Sequence, residues 1–380
     1  MRASVAQTFN HRVEKERMRV TGQGWHDIIS GARQDLTARL GRIGLHPLSW
    51  LYGIAVTCYH SAYDRHALSS YRAPFPVISV GNLTAGGTGK TPFCVWLMKT
   101  LRAAQRQPIL LSRGYRATRQ PHIPSRMNDE AQLLAFYCPE MKHYQHRQRA
   151  MIMRQLLPEC PPHTVFVLDD GFQHRRVARD LDIVLIDATL PWGYGHLLPR
   201  GLLREPRTAL RRADLVLITR ADQIPQRQLD QLATEIQRWR GRPHDGTLTF
   251  RPTRLVNSAG VTAPLDTLAQ HPWGAFCGIG NPTGFLRTLH ALNLNPPLQT
   301  FPDHHLYTQR DWDLLSRWQR QLAVPGLLTT MKDLVKVPRH LHHIWAIDGE
   351  ITWLEGADVF VHILERALHP FETRTYRGVA

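Results

Sequence analysis

The feature that most constrains this chain is the run Val80-Gly81-Asn82-Leu83-Thr84-Ala85-Gly86-Gly87-Thr88-Gly89-Lys90-Thr91. It leaves the apolar segment VISVGN (77–82) and enters KTPFCVWLMKTLRAAQ (90–105), which has helical patterning. A glycine-rich turn between a buried strand and a helix lets successive backbone N–H groups curl around phosphate oxygens, and the helix N-terminus adds its positive dipole end. A lysine at the end of the turn reaches the β- and γ-phosphates, and the next hydroxyl can take Mg2+. Thr84, Ala85, Gly86, Gly87, Thr88, Gly89, Lys90 and Thr91 are therefore expected to bind the phosphates of ATP, with Lys90 on the transferring group. The common form of this motif has a glycine where this chain has Thr84; Gly86 and Gly87 supply the freedom instead.

Around the turn, apolar strands alternate with helices. PILLSRG (108–114), TVFVLDDGFQH (164–174), DLDIVLIDAT (180–189) and ADLVLITRAD (213–222) read as buried parallel strands. DEAQLLAFY (129–137), HRQRAMIMRQLL (146–157) and PQRQLDQLATEIQRWR (225–240) read as helices between them. That alternation predicts a doubly wound parallel α/β sheet of the P-loop NTPase type over residues 64–245. GRPHDG (241–246) breaks it, 246–260 reads as a linker, and 261–380 as a smaller C-terminal α/β domain. Asp169 and Asp170 end an apolar strand beside the phosphate turn, where an acid can reach the Mg2+ shell.

The charge limits the partners. With 47 Lys+Arg against 31 Asp+Glu the chain carries a formal +16 over 380 residues. The positive charge is spread along the chain, and no RNP-like, zinc-finger or basic-zipper pattern accompanies it, so nucleic acid is not the expected partner. A mean hydropathy of −0.31 excludes a polytopic membrane protein. Five scattered cysteines with no CxxC pair make neither a disulfide framework nor a zinc site, and suit a reducing compartment. Residues 1–44 form a polar, Arg-rich extension expected to be loosely ordered in much of its length, with no signal-peptide core after Met1. Residues 45–63, LHPLSWLYGIAVTCYHSAY, are the most hydrophobic long run, with Trp and Tyr at its ends and arginines on both flanks. Composition alone fits either a helix lying in a bilayer surface or one packed on the body.

Taken in order, VGNLTAGGTGKTP, SRGY (112–115), NDE (128–130), LDDGFQH (168–174), GLLREP (201–206) and FPDHHLYT (301–308) resemble the tetraacyldisaccharide 4'-kinase (lipid A 4'-kinase) family over roughly residues 45–340. The resemblance implies transfer of the γ-phosphate of ATP to the 4'-hydroxyl of a lipid disaccharide 1-phosphate, with Mg2+. It implies work at the cytoplasmic face of the bacterial inner membrane, as a peripheral or monotopic protein among anionic lipids. No nucleic acid and no obligate protein partner is implied.

By the same resemblance Asp129 is the base, paired with His304, or His305 beside it. Thr91, Asp169, Asp170 and Glu205 fall at positions tied to the metal or phosphates. Arg113, Glu130, Gln173, His174 and Arg204 are further candidates. Where the family has Thr-Glu-Lys-Asp this chain reads Thr330-Met331-Lys332-Asp333, without the acid. The rival reading is a P-loop GTPase or metallochaperone-like switch. It rests on Thr219-Arg220-Ala221-Asp222, a faint echo of a guanine-reading element with Arg in the Lys position.

Overall fold

A computed structural model describes residues 21–114 and 129–371. Residues 1–20 of the basic extension and the side chain of Glu130 lie outside the described set. Two helices come first, α1 (Thr21–Ser30) and the long α2 (Leu36–Asp64). The phosphate turn then joins β1 (Val77–Asn82) to α3 (Lys90–Ala103). Next come β2 (Gln107–Ser112), α4 (Asp129–Tyr137), β3 (Lys142–Gln145), α5 (Arg149–Leu156), β4 (Thr164–Asp169), β5 (Leu181–Asp187), β6 (Leu215–Thr219) and α6 (Gln226–Arg240). In the second half, β7 (Gly246–Asn257), β8 (Thr262–Pro264), β9 (Gly274–Cys277), α7 (Pro282–Ala291), β10 (Leu298–Thr300), α8 (Gln309–Leu322), β11 (Leu327–Thr330), the short α9 (Met331–Leu334), β12 (Ile344–Glu355) and α10 (Ala357–Leu368) follow.

One sheet of twelve strands runs through both halves in the order β10-β9-β11-β12-β7-β6-β5-β1-β4-β2-β3, with β8 on β7. Every pairing is parallel except those of β7 with β12 and with β8. The parallel half is an α/β sheet of the expected P-loop type. Its central strands β1, β4, β5 and β6 are buried along their whole length, which is why they read as continuous apolar runs.

The residues expected as a linker form β7 instead. This 12-residue strand pairs antiparallel with the equally long β12 from Trp345↔Asn257 to Glu355↔Thr247. The beginning of β7 continues the first half through β6, and the beginning of β12 continues the second half through β11. The ribbon's middle is half exposed, so its sequence mixes polar and apolar residues and reads as a break. The C-terminal helix also departs from the expected division. Phe360, Leu364 and Leu368 of α10 are buried in the same core as Phe93 and Leu97 of α3, with the Phe360 and Trp96 ring centres 5.3 Å apart.

The hydrophobic run at 45–63 belongs to a helix that starts nine residues earlier than its composition suggests and carries Pro47 in its interior. At 1.5 Å per residue its 29 residues span about 43 Å. Its docked side is small and polar: Ala38, Ser49, Gly53, His60 and Tyr63 are buried. Ser49 Oγ donates to the Leu197 carbonyl at 2.9 Å, and Tyr52 donates to the Arg204 carbonyl at 3.0 Å. Its other side exposes Leu36, Leu40, Ile43, Trp50, Leu51 and Ile54, with Trp50 69% exposed. Among the described residues no helix is long and apolar enough to cross a membrane.

Candidate active site

The carboxyl ends of the parallel strands face a cavity of about 950 Å³ lined by both halves. From the first half come the phosphate turn, Arg113, Asp169, Asp170 and Arg204, and from the second Asp303, His304 and Lys332. Strand ends of this kind are where open α/β sheets bind ligands.

The turn is built for phosphate. Gly89 takes the left-handed conformation (φ +82°) that starts α3. Ala85 to Thr91 line the cavity, whereas Thr84 is buried behind it, bridged to Leu203. A side chain at Gly86 or Gly87 would meet nothing within 4 Å, so the room over the turn is real. Thr219 Oγ1 donates to the Thr88 carbonyl at 3.1 Å, and Arg220 donates to the Gly87 carbonyl at 3.1 Å and pairs with Asp187. The element that echoed guanine recognition thus braces the back of the turn.

Lys90 Nζ donates to Asn82 Oδ1 at 3.0 Å and lies 3.4 Å from Asp170. Arg204 grips Asp170 with both terminal nitrogens at 2.8 Å and also donates to the Asn82 side chain. Burial alone would raise the Asp170 pKa, but Lys90 and Arg204 together hold it well below the ordinary carboxylate range. Asp169 goes the other way: burial first, and the adjacent Asp170 charge, push its pKa up against the pull of Lys90. Asp170 holds a left-handed backbone (φ 52°), uncommon for a residue other than glycine. Asp169, a buried acid with raised pKa that lines the same cavity as Thr91, suits a hard divalent cation, whose charge would favour ionisation. Magnesium takes only one or two protein carboxylates together with phosphate oxygens, so the absence of any three-ligand cluster among the described residues is no conflict.

On the opposite wall, His304 Nδ1 donates to both oxygens of Asp129, at 2.9 and 3.0 Å. Asp129 opens α4, is 7% exposed and sits behind His304, which is the member lining the cavity. Burial would raise the Asp129 pKa, but His304, Lys332 and Lys336 overrule it and keep the carboxylate ionised well below its usual range. Lys336 Nζ lies 3.2 Å and Lys332 Nζ 3.8 Å from Asp129. Lys332 Nζ also lies 3.3 Å from His304 Nε2 and 3.3 Å from Asp303. His304, like Asp170, holds a left-handed backbone (φ 56°), a geometry that concentrates at functional sites.

Other candidates fall elsewhere. His305 stacks on Phe301 at 5.0 Å and pairs with Asp311 at 3.3 Å, away from Asp129. Glu205 is 1% exposed and does not line the cavity; it is held by His60 of α2 at 3.2 Å, Arg212 at 2.9 Å and Gln173 at 2.9 Å. Its clamp fastens the long helix to the segment carrying Arg204. Gln173 spans the two, donating also to the Asn82 carbonyl at 2.9 Å. His174 is half-buried; burial and the neighbouring arginines, Arg149 first, lower its pKa to about 4.

Sequence reading missed Lys332, Lys336, Asn82 and Arg149. Lys332 lies inside the Thr330–Asp333 element and could have been found there; Met331, at the position of the missing acid, is buried in the apolar core of the second half. Arg149 is 2% exposed and donates to the Asp170 carbonyl at 3.3 Å, a placement that only the packing of α5 reveals.

A family model described as tetraacyldisaccharide-1-P 4'-kinase matches residues 42–369. A tetraacyldisaccharide 4'-kinase from Anaeromyxobacter sp. strain K is 38% identical over 327 residues, covering 80% of this chain and 85% of that protein. The namesake from Syntrophus aciditrophicus is 35% identical over 319 residues, covering 77% and 83%. The crystal structure of LpxK from Aquifex aeolicus, described as an "apo" form in complex with ATP, superposes with a TM-score of 0.66. Its identity is 29%, over 86% of this chain and 99% of that one.

Proposed function

The chain belongs to the tetraacyldisaccharide-1-P 4'-kinase family, and from that membership we propose how its residues carry out the reaction. It is a kinase that moves the γ-phosphoryl group of ATP to the 4'-hydroxyl of a tetraacyldisaccharide 1-phosphate, in lipid A assembly. The observation that carries the mechanism is the facing pair of charge systems on one cavity: Lys90, Asp170 and Arg204 on the nucleotide wall, Asp129 and His304 on the other.

Phosphoryl transfer asks little covalent chemistry of a protein; it needs alignment, charge neutralisation and a group to receive the acceptor's proton. Lys90 and the backbone of Ala85–Thr91 hold the β- and γ-phosphates. Thr91, Asp169 and Asp170 would hold Mg2+, which when bound would neutralise charge on the phosphates. His304 donates its Nδ1 proton to the ionised Asp129, and this leaves Nε2 as the face turned to the cavity. The acceptor hydroxyl displaces Lys332 from Nε2 and gives up its proton there as its oxygen bonds to the γ-phosphorus, while the bond from that phosphorus to the β–γ bridging oxygen breaks and ADP leaves. Lys332, still near Asp303, then faces the developing negative charge. Asp129 steadies the imidazolium that results, as a positioning carboxylate does for a histidine base.

The substrate's acyl chains place the reaction at a bilayer. The exposed apolar face of α2 supports attachment at the cytoplasmic face of the inner membrane, lying in the surface rather than crossing it. The strongly basic chain suits anionic lipids, at about 1 kcal/mol per nearby cation. No nucleic acid and no obligate protein partner enters this reading, and the two halves of the sheet act as nucleotide side and acceptor side.

The decisive experiment incubates the protein with γ-labelled ATP and the lipid disaccharide 1-phosphate. A labelled bisphosphorylated lipid is expected, and Lys90→Ala should lower its formation by orders of magnitude while the protein stays folded. Near-wild-type turnover from a folded Lys90→Ala protein removes the phosphate turn from the chemistry.

A further inference from the structure

A second hollow opens where α2 ends, away from the catalytic cavity. Its walls include Tyr59 and Tyr63 of α2, Tyr71 beyond it, Arg154 of α5 and Arg176 of the loop after β4. Both arginines are exposed, and among the described residues neither pairs with a carboxylate. Two acids near this end are already taken, Asp64 by Arg175 at 2.8 Å and Asp180 by Arg72 at 3.0 Å. Each free guanidinium instead meets a tyrosine. Arg154 lies 4.6 Å from the Tyr71 ring centre, and Arg176 reaches the hydroxyl of Tyr63.

This combination has a specific chemistry. A guanidinium laid on an aromatic face is held in place while its N–H edge remains open to a planar or tetrahedral anion. Tyr59 stands beside Tyr63, their ring centres 5.2 Å apart, and is 40% exposed. Burial raises the pKa of both Tyr63 and Tyr71, so their hydroxyls stay protonated as donors. The hollow also has the right neighbourhood. It adjoins the last turns of the helix whose earlier turns expose Leu40, Ile43, Trp50, Leu51 and Ile54. Tyr63 belongs to the docked side of α2 and Tyr59 to its margin, so with the apolar face among acyl chains the hollow stands on the side of the helix turned to the headgroups.

We propose that this hollow binds the phosphate of an anionic bilayer phospholipid, separate from the acceptor lipid that enters the catalytic cavity. The site rests on the membrane attachment by α2 given above and adds to it a choice of lipid. Apolar burial sets whether the protein binds a bilayer; Arg154 and Arg176 set which bilayer it prefers.

The test is sedimentation of the full chain with vesicles of phosphatidylcholine, alone or mixed with phosphatidylglycerol, in the absence of acceptor. Wild type should prefer the anionic vesicles, and Arg154→Gln with Arg176→Gln should lose roughly thirtyfold of that preference at low salt. The same variant should keep its binding to neutral vesicles and its kinase activity on detergent-dispersed acceptor, which also reports that it is folded. A variant retaining the preference overturns the proposal. So does one that raises KM for the acceptor in detergent, which would give the hollow to the acceptor's own 1-phosphate. A measurement on unaltered protein stands beside these: the preference of wild type should fade as salt rises, and a salt-insensitive preference overturns the proposal as well. Wild type that binds both vesicle types equally sinks the headgroup site alone, whereas wild type that binds neither sinks the attachment by α2 too.

Discussion

At the scale of single residues, the pairing of His304 with Asp129 joins groups 175 positions apart, and the proposed mechanism uses the two as one base. If they act as a unit, Asp129→Asn and His304→Ala should each lower kcat by a large factor with little change in ATP affinity. The double variant should then be scarcely worse than the poorer single, because residues that share one role are not additive. Steady-state kinetics on all three decides it: losses that multiply would mean independent roles, with His304 a binding residue. Both members were legible through the family resemblance, which the short motifs NDE and DHH help to carry. The companion lysines were harder to see. Lys332 and Lys336 act on Asp129 only because α9 and α4 pack together, and a lone lysine in sequence reads as a solvated surface charge. Glu205 shows the reverse case. Its motif is distinctive, yet its partners His60, Arg212 and Gln173 make it a buried fastening between α2 and the Arg204 segment.

At the scale of elements, α2 turns an impure hydrophobic run into two faces of different purpose. Small and polar side chains let its backbone come close to the body, where a Cβ on Gly53 would stand 2.8 Å from the Leu197 side chain. The large apolar side chains are left on the opposite face. Replacing Ile43, Trp50 and Ile54 together by Glu should therefore leave the fold nearly untouched, since surface changes cost within about 0.5 kcal/mol each. Membrane attachment should fall steeply, because each such side chain contributes on the order of 1–2 kcal/mol when it enters the acyl boundary. Cell fractionation measures this: the triple variant should move to the soluble fraction, while high salt alone should release wild type only in part. A triple variant that stays in the membrane fraction would place the attachment elsewhere. The buried strands and the helices between them were readable from continuous apolar runs and 3.6-residue periodicity. The start of α2 was not, because Arg39, Arg42 and Pro47 mask its apolar stripe, and β3 was missed because it is a short edge strand with no fully buried residue.

At the scale of the whole molecule, one continuous sheet replaces the two domains and linker that composition suggested. A proline–glycine break is a local signal, whereas β7 is held by long-range pairing with β12, 88 to 108 residues away, which no local pattern announces. The return of α10 onto the first half was equally hidden, because an amphipathic helix does not declare which core it joins. That return has a measurable consequence. Phe360 is completely buried, with ring centres 6.0 Å from Phe93 and 5.3 Å from Trp96, both on the helix that begins at Lys90. Phe360→Ala removes a core aromatic and should cost about 3–5 kcal/mol. If the second half were an autonomous domain, that loss would leave the nucleotide side unchanged. With α10 built into the core under the phosphate helix, the whole chain should instead melt earlier in a single transition. ATP should also bind more weakly, because α3 loses the packing that fixes its first turn. Calorimetry and nucleotide titration on the same protein separate the alternatives. Two transitions, of which only one moves, together with unchanged ATP affinity, would mean that the halves are energetically independent despite their shared sheet.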